Sequence, residues 1–310
     1  MSRYRNLALF LTLAAVWGTA FVAISAGLAH FPPVLFAALR YDVAGVVMLT
    51  YAAAVVDDPL PRGRGQWLLV LVGATLLIAA YHAFLFVGQQ NTTAAAAAIL
   101  VSLSPVLTTG YAHVLVPSDA LSPVGVVGVV LGLLGVVVIA RPTPSDLLAT
   151  DVVATLLVFL AAASFALGSV LTRRIGATMP IESMEAWSML GGAALLHAAS
   201  VGLGEPIDPA VWTHPTALGA LVYLALVSSA LGFLIYFDLL ERLGAVEINM
   251  VSYVAPVFAA VFGWLLLDEV IDAPTVLGFG LIVAGFVLVK RRALRDEVGY
   301  LRRAYSESGD

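Results

Sequence analysis

Arg40 stands inside an apolar run of roughly twenty residues, where a guanidinium facing lipid would cost several kcal/mol, so the chain must turn it toward water or a partner. Its forked donors suit a carboxylate, and equally suit helix-end carbonyls or the nearby Asp42. Tyr81 and His82 lie side by side in the next run; an imidazole there can relay a proton, hold a ligand or bond a backbone carbonyl. Asn249 and Tyr253, four residues apart, fall on one face of a helix. Ser104 precedes Pro105, and Pro256 stands in a similar later context; each proline frees a carbonyl that a ligand or a polar neighbour can use, which marks both as expected helix breaks. Trp17 is too deep in its run for an interfacial anchor and is expected to line an interior space, whereas Trp187 is expected to pack or anchor. Thr19, Ser164, Ser169, Ser228 and Ser229 are expected to bond carbonyls of their own helices.

The elements that must position these groups are membrane spans. Hydrophobic residues make up 61% of the chain and charged ones 11%, with mean hydropathy +1.00, against about 45–50% and 25% in soluble domains. Ten apolar runs lie near 6–28, 34–56, 67–88, 93–115, 123–140, 152–171, 183–203, 216–237, 245–266 and 274–290. The first is longer than a leader's apolar core and has no cleavage pattern beyond it, so it reads as a retained span. The connections are too short for a separate extramembrane domain, and all chemistry must sit between helices or at their ends. With the N-terminus inside, Arg3, Arg5, Arg62, Arg64, Arg173, Arg174, Arg242, Lys290, Arg291, Arg292, Arg295, Arg302 and Arg303 fall on the cytoplasmic side, and Arg141 alone falls outside. Both termini are therefore expected in the cytoplasm.

Several function classes drop out. A net charge of -5 with scattered acidic residues offers no basic face for nucleic acid. The absence of cysteine excludes disulfides and thiolate chemistry. No HExxH, P-loop or GxSxG pattern occurs, and His30, His82, His113, His197 and His214 are dispersed, so no enzyme, metal or cofactor is expected. The sole lysine, Lys290, sits at a span end, where it cannot carry a retinal Schiff base.

Sliding the chain on itself by 151 positions sets Pro105 on Pro256, Pro123 on Pro274 and Arg141 on Arg292. The expected division is a first five-helix repeat over 1–143, a second over 144–292 and a cytoplasmic tail over 293–310. Five crossings per repeat make the second enter from the opposite side, so the expected fold is all-α and polytopic, with ten transmembrane helices as two inverted five-helix repeats. Gly125, Gly128, Gly132 and Gly135 form a small-residue stripe, Gly128 and Gly132 in GxxxG spacing, weakly echoed by Gly278, Gly280 and Gly285. The stripe is suited to close helix packing, within the chain or between copies.

The segments "AVWGTAFVAIS" (Ala15 to Ser25), "FAALRYDVAG" (Phe36 to Gly45), the run ending in Ser104-Pro105, and "GAVEINMVSYVAPVFAAVFGWLLLDEV" (Gly244 to Val270) resemble the drug/metabolite transporter superfamily, in particular its EamA-type ten-helix members. The resemblance covers nearly the whole chain. Glu269 fills an acidic position that the family often carries before the last helix of each half, whereas the first half has Ser118 with Asp119 beside it.

What the resemblance implies is a carrier in the cell membrane that moves a small organic solute, most readily outward, by alternating access around a site at the bilayer midplane. Its site would be lined by the first, third and fourth helices of each half and the Arg40 helix, with Pro105 and Pro256 at the gates. The sparse, mainly neutral polar set favours an amino acid over a sugar phosphate or nucleotide sugar. A channel or a sensor without turnover is the reading from another class. The expected partners are the solute, the lipid bilayer and, through His82, protons; the chain is expected as a monomer or weak homodimer.

Overall fold

In the computed structural model, residues 2–116, 122–142, 148–206 and 208–307 are described, and among them all regular structure is helical. A bilayer leaves backbone groups no water to bond, so long apolar runs satisfy them within helices. Ten are long and apolar enough to cross: α1 (Tyr4–Leu28), α2 (Pro33–Val55), α3 (Gly63–Gln89), α4 (Ala94–Leu115), α5 (Pro123–Ala140), α6 (Thr150–Ile175), α7 (Ile181–Leu203), α8 (Pro215–Leu243), α9 (Glu247–Leu267) and α10 (Ala273–Arg291). Proline opens α2, α5 and α8, where its missing N–H costs no intrahelical bond. Gly176 and Gly204, at positive φ, end α6 and α7. Helix continues beyond α10 as far as Glu307.

The packing is reciprocal between the halves. Helix α1 lies on α9 and α6 on α4; α3 lies on α7 and α8 on α2; α2 pairs with α7, and α5 with α10. Exchanging each helix for the one five places away maps this set onto itself. The α5–α10 contact shows the relation at atomic scale. A Cβ on Gly285 would stand 2.5 Å from the Gly128 carbonyl oxygen and one on Gly128 2.6 Å from that of Gly285, while Gly135 and Gly278 repeat the contact at 2.7 and 2.8 Å. The glycine stripe is thus used inside the chain, with backbones touching as small residues allow. Gly132 faces α4, where a Cβ would meet Leu103 at 2.8 Å.

Four spans are irregular, at two pairs of corresponding places. Gly73–Ala80 in α3 and Tyr223–Leu231 in α8 are π-helical, which turns some carbonyls out of the regular ladder. Helix α4 is interrupted at Ser102 and Leu103, where Leu103 N bonds Leu100 O at 3.2 Å and Val106 N bonds Leu103 O at 3.0 Å, immediately around Pro105. Helix α9 is interrupted at Met250 by the same three-residue bonding, Met250 N to Glu247 O and Tyr253 N to Met250 O, both 3.0 Å. Pro256 therefore does not mark the interruption of α9. It lies inside the continuous segment Val251–Leu267, six residues past the turn.

Candidate functional site

Polar groups that meet across the interior come from α1, α2, α3, α6 and α8, with further buried hydroxyls on α4 and α7. Arg40 is 6% exposed; its Nε donates to Ser229 Oγ at 2.9 Å and an Nη to Ser228 Oγ at 3.3 Å. Its guanidinium also lies 5.1 Å from the Tyr41 ring. The two serines thus face out of their helix toward a cation, not back along their own ladder. The π segment that carries them presents the Ser228 carbonyl as well, which accepts from Trp17 Nε1 at 3.2 Å. Trp17 stacks near Phe233 and Tyr236, with ring centroids 6.1 and 5.6 Å away. In the other half Ser164 of α6 donates to the Leu76 carbonyl in the π segment of α3 at 2.9 Å, so the first helix of each half feeds a donor into the third helix of the other. Thr19 bonds its own helix at Ala15 O and also the hydroxyl of Tyr223.

His82 is buried, with Nδ1 2.9 Å from the Ile78 carbonyl and Nε2 2.8 Å from the Tyr41 hydroxyl. A carbonyl only accepts, so Nδ1 carries the proton and Nε2 is left to accept from Tyr41. Tyr81 packs its ring edge-on to His82 and against Phe165 of α6. Arg40 acts electrostatically on Tyr41, Tyr81, His82 and Tyr223, which makes these groups one field.

Three expected site residues are not drawn into this group. Ser104 is buried and its hydroxyl donates to Val101 O at 2.7 Å, inside the interruption of α4. Tyr253 packs its ring on Phe286 of α10, centroids 4.4 Å apart, with its hydroxyl buried and unpartnered. Asn249 is exposed at the end of α9. The turn at Met250 falls between Asn249 and Tyr253, so the four-residue spacing does not put them on one continuous helical face.

One residue that the sequence reading passed over belongs here. Glu185, on the second turn of α7, interacts electrostatically with Tyr41 and Tyr236 and has no hydrogen-bond or ion-pair partner among the described residues. On the same helix the buried hydroxyls of Ser183 and Ser188 are also unpartnered. An ionisable residue inside a span was the available signal. It was missed because the sequence-read span opens only at residue 183, which leaves Glu185 at its edge.

Ten apolar helices around a buried polar interior define a multi-pass membrane protein. Residues 5–141 match the EamA-like transporter family and residues 152–291 match it a second time, and the chain belongs to that family, whose members are membrane transporters and not enzymes. It is 26% identical over 278 residues to the uncharacterized transporter YoaV of Bacillus subtilis, spanning 90% of this chain and 94% of that one. It is 28% identical over 295 residues to the uncharacterized inner membrane transporter YedA of Escherichia coli, spanning 93% and 92%. A solved crystal structure with 25% identity superposes over 95% of this chain and 99% of its own, with a TM-score of 0.64.

Proposed function

We propose that this transporter is a secondary carrier of small zwitterionic metabolites such as amino acids, exporting them across the plasma membrane by alternating access between two inverted halves, 1–143 and 144–292, with both termini cytoplasmic. The observation that carries the reading is the environment of Arg40. Its guanidinium is buried and is met by two neutral hydroxyls, with no carboxylate against it among the described residues. A buried charge is tolerable when a counter-charge and full hydrogen bonding accompany it, and a solute carboxylate would supply both. Glu185, of opposite sign and without a hydrogen-bond or ion-pair partner among the described residues, lies on α7, which packs on the Arg40 helix, and acts electrostatically on Tyr41 beside Arg40. An ammonium group would complete it, with Ser183 and Ser188 as further polar capacity. A phosphate ester would call for several basic groups, whereas Arg40 and His82 are the buried basic side chains among the described residues.

The thirteen-to-one charge bias supports the orientation, and outward transport follows the family resemblance. His82, with both nitrogens engaged by neutral groups, has a structural role that needs no proton transfer. Counterflow in proteoliposomes, screening amino acids with and without an imposed pH gradient, tests the reading. Saturable exchange of an amino acid, lost for analogues without the carboxylate, is expected; conductance without saturation would replace the carrier with a channel.

A further inference from the structure

The first turn of a helix leaves amide N–H groups without intrahelical partners, and in α4 they are met from both halves of the chain. Thr93 Oγ1 accepts from Ala96 N at 3.1 Å. The carboxylate of Glu269, from the turn between α9 and α10, accepts from Ala94 N with Oε1 at 3.1 Å and Oε2 at 2.9 Å. Glu269 is set for this by its own helix end. Asp268 takes the left-handed conformation at φ 55°, Glu269 N bonds Gly263 O at 3.1 Å, and a Cβ on Gly263 would stand 2.8 Å from Glu269 Oε2. The carboxylate thus lies in a space that only glycine leaves open. Counting crossings puts the start of α4 and the α9–α10 turn on the same membrane face.

The two spans joined here are the two that are interrupted, α4 at Ser102 and Leu103 and α9 at Met250. We infer that Glu269 is a positioning residue of the transport cycle: its bond to Ala94 holds shut the membrane face bearing the α3–α4 and α9–α10 connections, and release lets Ala94–Val101 swing about the turn at Ser102. This rests on the alternating-access reading. The bond satisfies an otherwise unpaired amide at the start of α4, so its loss should change exposure by about tenfold or more. It also joins elements 175 residues apart, so its release is expected to be felt at both ends of the bundle and not only as fraying of one helix.

The natural chain has no cysteine, so single cysteines report accessibility directly. In purified protein in nanodiscs, Ala96→Cys beneath the tie and Asn249→Cys at the opposite end of the bundle are labelled with a water-soluble maleimide. With Glu269→Ala, labelling at 96 is expected to rise about tenfold or more and labelling at 249 to fall, because opening one end closes the other. Glu269→Gln, which keeps an acceptor oxygen, should stay near the parent. Unchanged labelling at 96, or a rise at 96 with no fall at 249, would overturn the inference, the latter by showing local fraying. If Glu269→Ala does not fold, Gly263→Ala displaces the same carboxylate and is read by the same two outcomes. No solute is needed, so a reciprocal labelling change without any amino-acid counterflow would leave the tie standing and remove the substrate reading alone.

Discussion

Arg40 Nε lies 2.9 Å from Ser229 Oγ, a bond that joins the second helix of one half to the π-helical segment of α8 in the other. Ser229 is fully buried, so Ser229→Ala strands a guanidinium N–H away from water at a cost of about 1–3 kcal/mol. A fall of several degrees in the thermal midpoint of the purified protein is expected, and a smaller one for Ser228→Ala, whose bond is 3.3 Å long. Arg40→Met separates stability from recognition. It removes a buried charge while keeping an apolar stem, so the fold should hold or gain stability, whereas transport of a carboxylate solute should drop about tenfold or more. Full transport by Arg40→Met would take Arg40 out of the binding site.

The α5–α10 contact makes a sharper stability prediction. Gly285→Ala would push a Cβ to 2.5 Å from the Gly128 carbonyl oxygen and 2.9 Å from Gly132 N, both backbone atoms that cannot rotate aside. The helices must separate, at about 1–3 kcal/mol for overpacking of this kind. Gly280→Ala, with nothing within 4 Å, is the matched control and should be neutral or slightly stabilising from helix propensity. Equal thermal midpoints for the two variants would mean that α5 and α10 are not in backbone contact.

The irregular spans carry their own test. Trp17→Phe keeps the ring contacts with Phe233 and Tyr236 but removes the N–H that meets the Ser228 carbonyl. Ser164→Ala does the same for Leu76 in the other half. Each should cost about 1 kcal/mol, and the pair should be close to additive because the two bonds lie in different helix pairs. A double variant no less stable than the singles would show that the π segments do not depend on these donors.

The spans and the burial of Arg40 are legible in the sequence because a bilayer imposes one requirement on every residue of a run: apolar side chains and internally bonded backbone. The glycine stripe is legible for a similar reason, since only close approach explains glycine at that spacing. The π segments are not. Gly73–Ala80 is an unremarked apolar octet, and its altered winding is joined to a serine 88 residues away. Pro256 shows the reverse failure. Proline removes one bond but does not force a break when neighbours hold the helix, and the turn forms at Met250, whose side chain gives no such signal. The tie of Glu269 to Ala94 was equally hidden, because a cap supplied across 175 residues has no local spacing to betray it.

The Glu269–Ala94 tie should also respond to pH. Burial raises the Glu269 carboxyl above its ordinary value of 4.5, and the amides of Ala94 and Ala95, which favour the anion, offset only part of this. In the released state the carboxyl is solvated and returns toward 4.5, so the tied state binds the proton more tightly. By linkage, acidification through the window between the raised value and 4.5 favours the tied state, and raising pH above that window favours release. The nearest ionisable residues along the chain are Asp268 and Asp272; Asp272, just before α10, pairs with Arg141 at the end of α5. Spin labels on cysteines at Thr92 and Val270 measure the gap across the tie. The longer-distance population should shrink on acidification through the window, and Glu269→Gln, which cannot titrate, should flatten the response. A pH response that persists unchanged in Glu269→Gln would move the titration to Asp268 or to the Asp272–Arg141 pair.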